Sequence, residues 1–332
     1  MKKRRNYNLD TLRAVATILV VLLHVSASFV TQSSDNDTYD FNFWFANVVD
    51  SFSRISVPLF VMISGYFLYE KIEGSVVFYK KRASRILIPL IFWTIFYLFF
   101  NFIIKGNYNA KDLFYSVLKG TPFYHLWYIY MLIGLYLFIP VLKKHTLNMS
   151  HKNKWILAIG FMLVGFLLSL ISEFYKMKTV FLLWFIKYIG YFMMGSLVVK
   201  ASFLNRKLAL FLYIISCISI AILTFYTLSL KKSLYFYNYL SPFVIIASVS
   251  FYYYFSQLKI KESRLSKIAH LTFGVYLIHP AIEFVFKKVL RHFDLYVTNS
   301  LVGISIQFFV IFGLSYSIIF IMYKNKFLRK LI

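Results

Sequence analysis

The sequence predicts an all-α polytopic membrane protein of about ten transmembrane helices, with both termini cytoplasmic and residues 1–332 forming one integral-membrane domain. Three observations carry that expectation. Of the 332 residues, 60% are hydrophobic and only 15% charged, against about 25% charged in ordinary soluble chains, and the mean hydropathy is +0.68. The apolar residues fall into ten runs long enough to span a bilayer, near 10–30, 43–69, 86–104, 125–142, 155–172, 180–199, 208–229, 238–258, 268–286 and 298–323. The basic residues fall between those runs and alternate in density, with 24 Lys+Arg in the N-terminus, the even loops and the C-terminal tail and 10 in the odd loops. By the positive-inside rule that asymmetry puts both termini in the cytoplasm and residues 31–42 and 105–124 outside. The first loop agrees, since Asp35, Asp37 and Asp40 stand there with no basic residue.

The composition excludes a soluble enzyme, a disordered regulator and a disulfide scaffold. Cys217 is the only cysteine, so no intrachain disulfide forms, and no Cys/His cluster has zinc spacing. A net charge of +25 would suggest nucleic acid in a soluble chain. Here the clusters flank apolar spans, and anionic lipid headgroups are their expected partners rather than nucleic acid.

The N-terminus resembles a secretory signal in its basic start and its Val25-Ser26-Ala27, but the apolar run continues past Phe29 and contains an arginine and a histidine. It reads instead as the first span. Ionisable residues inside a span cost at least about 2.5–3.5 kcal/mol on insertion scales and are functional candidates by default. In this span they are Asp10, Arg13 and His24. His24 follows Arg13 by eleven positions, a rotation of only about 20° after three turns and a rise of about 16 Å, so the two share a face at different depths. Packing is the ordinary role of a lone histidine on an apolar helix. A desolvated imidazole stays neutral, however, and is available as a general base.

In the second run Asp50 and Arg54 are four apart and can neutralise each other. Pro58, Ser64 and Gly65 follow, predicting a segment that bends and packs closely against a neighbour. The third run opens on Lys80-Lys81-Arg82-Ala83-Ser84-Arg85. Arg82 and Arg85, three apart on one face, present guanidinium forks suited to phosphate, which lipid headgroups could also supply. The fourth opens on Phe123-Tyr-His125-Leu-Trp127. Trp and Tyr are expected in an interfacial belt, whereas His125 is placed to meet an acceptor. In the sixth, Lys187 reads as a snorkelling or paired lysine. The ninth carries His279-Pro280, with Glu283 one turn later.

Arg13 and His24, separated by ten residues in the first helix, together with Asn47-Val-Val-Asp-Ser-Phe-Ser-Arg-Ile-Ser-Val-Pro-Leu-Phe60 and Phe123-Tyr-His-Leu-Trp127, resemble the membrane acyltransferases called acyltransferase family 3. The resemblance runs along nearly the whole chain and is closest to the branch containing the enterobacterial common antigen O-acetyltransferase. It implies acetyl-CoA as co-substrate on the cytoplasmic side of a bacterial cytoplasmic membrane, no metal, and a hydroxyl of a surface polysaccharide or lipid-linked sugar as acceptor. It also implies a catalytic role for His24 with Arg13 and Asp10, CoA binding at Arg82 and Arg85, and acceptor binding or support from Asp50, Arg54, His125, Trp127 and His279. The chain departs from longer relatives, which carry Ser-Val-Glu-Glu after the aromatic motif, by having Tyr128-Ile-Tyr-Met-Leu132. An exporter or flippase of a polysaccharide or glycolipid precursor would also have ten spans, although the paired Gly/Pro-interrupted halves frequent in transporters are not evident.

Overall fold

A computed structural model describes residues 5–69, 73–105, 109–176, 180–202, 204–231, 233–295 and 297–332. Lys2, Lys3 and Arg4 of the basic N-terminus, and Lys71, Lys178 and Lys232 of the loop charges, lie outside the described residues. Every element among the described residues is helical. The helices are α1 (Tyr7–Asp35), α2 (Phe41–Ser53), α3 (Ser56–Leu68), α4 (Ser75–Lys105), α5 (Ala110–Leu118), α6 (Trp127–Thr146) and α7 (His151–Phe174). They continue as α8 (Ile189–Val199), α9 (Arg206–Ser229), α10 (Pro242–Ser256), α11 (Arg264–Ile268), α12 (Thr272–His292) and α13 (Ser300–Lys324).

The protein is an all-α polytopic membrane protein. All ten expected runs are helical, and eight segments among the described residues are long and apolar enough to cross a bilayer. The other two are α10, which has 15 residues, and α12, whose second half carries Glu283, Lys287, Lys288 and Arg291. Several boundaries shift. The basic run Lys80–Arg85 lies inside α4, which begins at Ser75, so those side chains are held on a rigid helix rather than in a loop. The sixth run is half 3₁₀-helix, Phe181–Tyr188, before α8 begins. The loop 105–124 contains the short helix α5.

The second run does bend, with its break at Arg54–Ile55, between α2 and α3. The close packing falls where glycine allows it. A Cβ on Gly65 of α3 would stand 1.8 Å from the Phe192 carbonyl oxygen, and one on Gly195 of α8 would stand 1.9 Å from that of Met62. α3 and α8 therefore touch backbone to backbone, as small residues permit between membrane helices. α1 sits centrally, packed against α2, α3, α12 and α13, with Leu9, Leu12, Ala16, Val20 and Val21 buried. Apolar side chains such as Ile91, Ile95 and Phe99 of α4 and Ile159 and Leu163 of α7 are exposed, as expected of helices that face lipid.

Candidate active site

Polar side chains gather at two depths, and α1 contributes to both. Near its N-terminal end a cavity of about 420 Å³ is lined by Asp10 and Arg13 of α1, Ser64 of α3, Arg82 and Arg85 of α4, and Tyr136 of α6. Three guanidinium groups thus share one cavity with one carboxylate. Asp10 is already paired, its Oδ2 standing 2.6 Å from Arg5 Nε. Arg13 lies 5.3 Å from the centre of the Phe67 ring. Arg82 is buried, donates to Glu73 at 3.3 Å and lies 4.8 Å from the centre of the Phe78 ring. Arg85 is exposed.

His24, eleven residues along α1, belongs to the second cluster. Its ring centre is 5.1 Å from that of Tyr124 and 5.3 Å from that of His279, which in turn is 5.9 Å from His125. The 3₁₀ turn Tyr124–Leu126 before α6 supplies two of these rings, and α12 supplies the third. Tyr124 donates to Glu283 Oε2 at 3.2 Å, and Lys287 donates to Oε1 at 2.6 Å. The Tyr276 hydroxyl donates to the His125 carbonyl.

Pro280 explains the setting of His279. Lacking an N–H, it leaves the carbonyl four residues back without its helical partner, and that carbonyl belongs to Tyr276. His279 Nδ1 stands 2.9 Å from the Tyr276 oxygen and 3.2 Å from that of Val275. Carbonyls only accept, so Nδ1 carries the proton and Nε2 keeps its lone pair. Nε2 is buried without a hydrogen-bond partner among the described residues, as are both ring nitrogens of His125. Three imidazoles and a tyrosine hydroxyl gathered in one cluster can take up and pass a proton.

The remaining candidates make their direct contacts with other residues. Asp50 and Arg54 form a bidentate pair, with Nε–Oδ1 2.6 Å and Nη2–Oδ2 2.8 Å. The guanidinium lies 3.9 Å from the centre of the Tyr237 ring, and the Tyr237 hydroxyl donates to Asn47 Oδ1 at 2.6 Å. Asn47 in turn donates to the Ala221 carbonyl at 2.9 Å. The pair thereby ties α2 to α9 and to the turn ahead of α10. Trp127 stacks on Tyr239 at 5.9 Å and meets Trp184 and Tyr188 rather than the histidines. Lys187 donates to Ser172 Oγ at 3.2 Å, the paired role expected of it. Asp10 lies fourteen residues from His24, about 21 Å along the helix, and belongs with the arginines. Sequence reasoning passed over Lys287, whose i,i+4 spacing from Glu283 was the available signal. It also passed over Tyr124 as a member of the site.

Residues 6–324 match a family described as an acyltransferase domain. No curated protein and no solved structure matches the chain.

Proposed function

The chain belongs to that acyltransferase-domain family, and from this membership we propose that it is a membrane O-acetyltransferase, moving an acetyl group from acetyl-CoA to a sugar hydroxyl of a surface polysaccharide or glycolipid. The observation that carries the reading is the span of α1, which sets Arg13 in a three-arginine cavity and His24 in a histidine cluster on the same helix face. The charge asymmetry of the loops assigns the arginine end to the cytoplasm, where a nucleotide thioester is supplied. Arg82 and Arg85 receive phosphate there, since planar guanidinium forks match phosphate oxygens better than a single ammonium does. Asp10 acts at this donor end, holding Arg5.

At the other end His24 takes the proton of the acceptor hydroxyl as its oxygen attacks the thioester carbonyl. The C–O bond forms, the C–S bond breaks, and the CoA thiolate leaves and is reprotonated. Holding the two reactants together supplies the positional advantage. An acetyl-histidine on the way is compatible with the same residues. The motif resemblance supports reading the chain as a relative of the branch containing the enterobacterial common antigen O-acetyltransferase, acting in a bacterial cytoplasmic membrane. Family membership favours acyl transfer over polysaccharide export. Purified protein in liposomes, given radiolabelled acetyl-CoA, should release free CoA and pass label to a sugar acceptor. Export of a labelled glycolipid without CoA release would contradict the assignment.

A further inference from the structure

A second cavity, of about 580 Å³, opens beside the arginine pocket at the same end of the bundle. Its wall includes Lys143 and Lys144 from the last turn of α6, Lys154 from the first turn of α7, and Glu73, Phe78 and Thr146. Three lysines from two helices thus line one cavity. The carboxylate of Glu73 already holds Lys81 at 3.1 Å and Arg82 at 3.3 Å. Neither Lys144 nor Lys154 forms an ion pair among the described residues. The like charges of those two lysines repel one another, and an anion of more than one charge would offset the repulsion.

Phe78 joins the two cavities. Arg82, on the wall of the arginine pocket, lies 4.8 Å from its ring centre, and Lys143 lies 5.2 Å from the same centre. The two cations are therefore at most about 10 Å apart, held by one aromatic ring. An anion spread over both cavities needs two separate phosphate groups within that distance. Coenzyme A has this form: a pyrophosphate, and on the ribose a 3′-phosphate monoester carrying about −1.5 to −2 charges near pH 7.

We propose that Lys143, Lys144 and Lys154 form a phosphate-monoester site that takes the 3′-phosphate of the CoA donor, while the arginine pocket takes the pyrophosphate. The inference rests on the acetyl-CoA reading above and extends it. Lysine fits this position, because a point charge on a flexible stem follows a freely rotating monoester, whereas a rigid fork suits the fixed pyrophosphate. The site selects CoA over nucleotides that lack the 3′-phosphate, and discards none of the affinity that the arginines supply. An anionic lipid headgroup offers the same monoester chemistry, and phosphatidic acid is the version that competes.

The test is a direct titration of the full-length protein in nanodiscs with CoA and with 3′-dephospho-CoA. Wild type should bind CoA about ten- to a hundredfold more tightly, the range for a charge-assisted contact. The triple variant Lys143→Gln/Lys144→Gln/Lys154→Gln should bind the two equally, with its affinity for dephospho-CoA unchanged. The double variant Lys144→Gln/Lys154→Gln, which leaves the contact with Phe78 intact, should lose part of the preference and guards against a folding defect in the triple. Equal binding of both nucleotides by wild type, or a preference surviving in the triple variant, overturns the site while leaving acetyl-CoA as donor. Binding of neither nucleotide by wild type overturns the donor reading itself and the site with it. A triple variant that keeps its CoA preference but no longer enriches phosphatidic acid over phosphatidylcholine in its nanodiscs assigns the lysines to lipid.

Discussion

At the scale of single residues, the histidine cluster separates what spacing can reveal from what it cannot. Arg13 and His24 could be placed on one face of one helix by counting, and they stand there. That His24 meets His279, from the other end of the chain, is a tertiary fact with no local trace. The tautomer of His279 is a middle case, because His279-Pro280 inside an apolar run already implies a carbonyl needing a donor. A fixed Nδ1 proton leaves Nε2 facing the cluster as an acceptor. His279→Gln should therefore lower kcat for the proposed acetyl transfer by about 10²-fold or more, in the range for losing a proton-handling group, with the KM for acetyl-CoA nearly unchanged. Wild-type kcat in a folded His279→Gln variant would reduce the residue to packing.

At the scale of elements, two contacts make measurable claims. Gly65 and Gly195 let α3 and α8 meet, and an added methyl there strikes backbone carbonyls that cannot rotate away. Gly65→Ala should cost at least about 1–3 kcal/mol, the usual range for overpacking, read as a lowered melting temperature in detergent. Unchanged melting would mean that the two helices are farther apart. Asp40 caps α2, its Oδ1 accepting from the backbone N–H groups of Phe43 and Asn42 at 3.1 and 3.0 Å. The Phe43 N–H foremost, then the Asn42 side chain, hold its carboxyl below the ordinary 3.8. A depressed folded value means that the cap stabilises fully above about pH 3.8 and loses its contribution as pH falls through that lower value. Asp40→Ala should cost about 0.5–2 kcal/mol at neutral pH, and the gap from wild type should close in acid; a gap independent of pH would remove the cap. The element boundaries were less legible. The break at Arg54–Ile55, three residues ahead of Pro58, and the 3₁₀ start of the sixth run answer to packing rather than to hydropathy.

At the scale of the whole molecule, the fold class was legible because lipid imposes one rule on every span, and apolar length and loop charge record it. The arrangement of the spans was not, since lipid-facing and helix-facing surfaces are equally apolar and the sequence does not mark which face meets which neighbour. The proposed donor end was partly legible: Arg82 and Arg85 share one cavity as their spacing implies, while Arg13 and Tyr136 reach it only through the tertiary fold. The proposed orientation can be checked by labelling. In a Cys217→Ala background, Asp37→Cys should react with an impermeant maleimide in intact cells, and protection there would invert the topology.

In the proposed reaction one helix joins a donor end to a chemical end, and steady-state CoA release by three variants tells the two ends apart. His24→Ala should lose about 10²–10⁴ in kcat with the acetyl-CoA KM nearly unchanged. Arg82→Gln/Arg85→Gln should raise that KM, and Arg82→Lys/Arg85→Lys should recover only part of the loss, because charge returns without the paired geometry. Wild-type kcat in folded His24→Ala, or an unchanged acetyl-CoA KM in the double-Gln variant, would contradict the account.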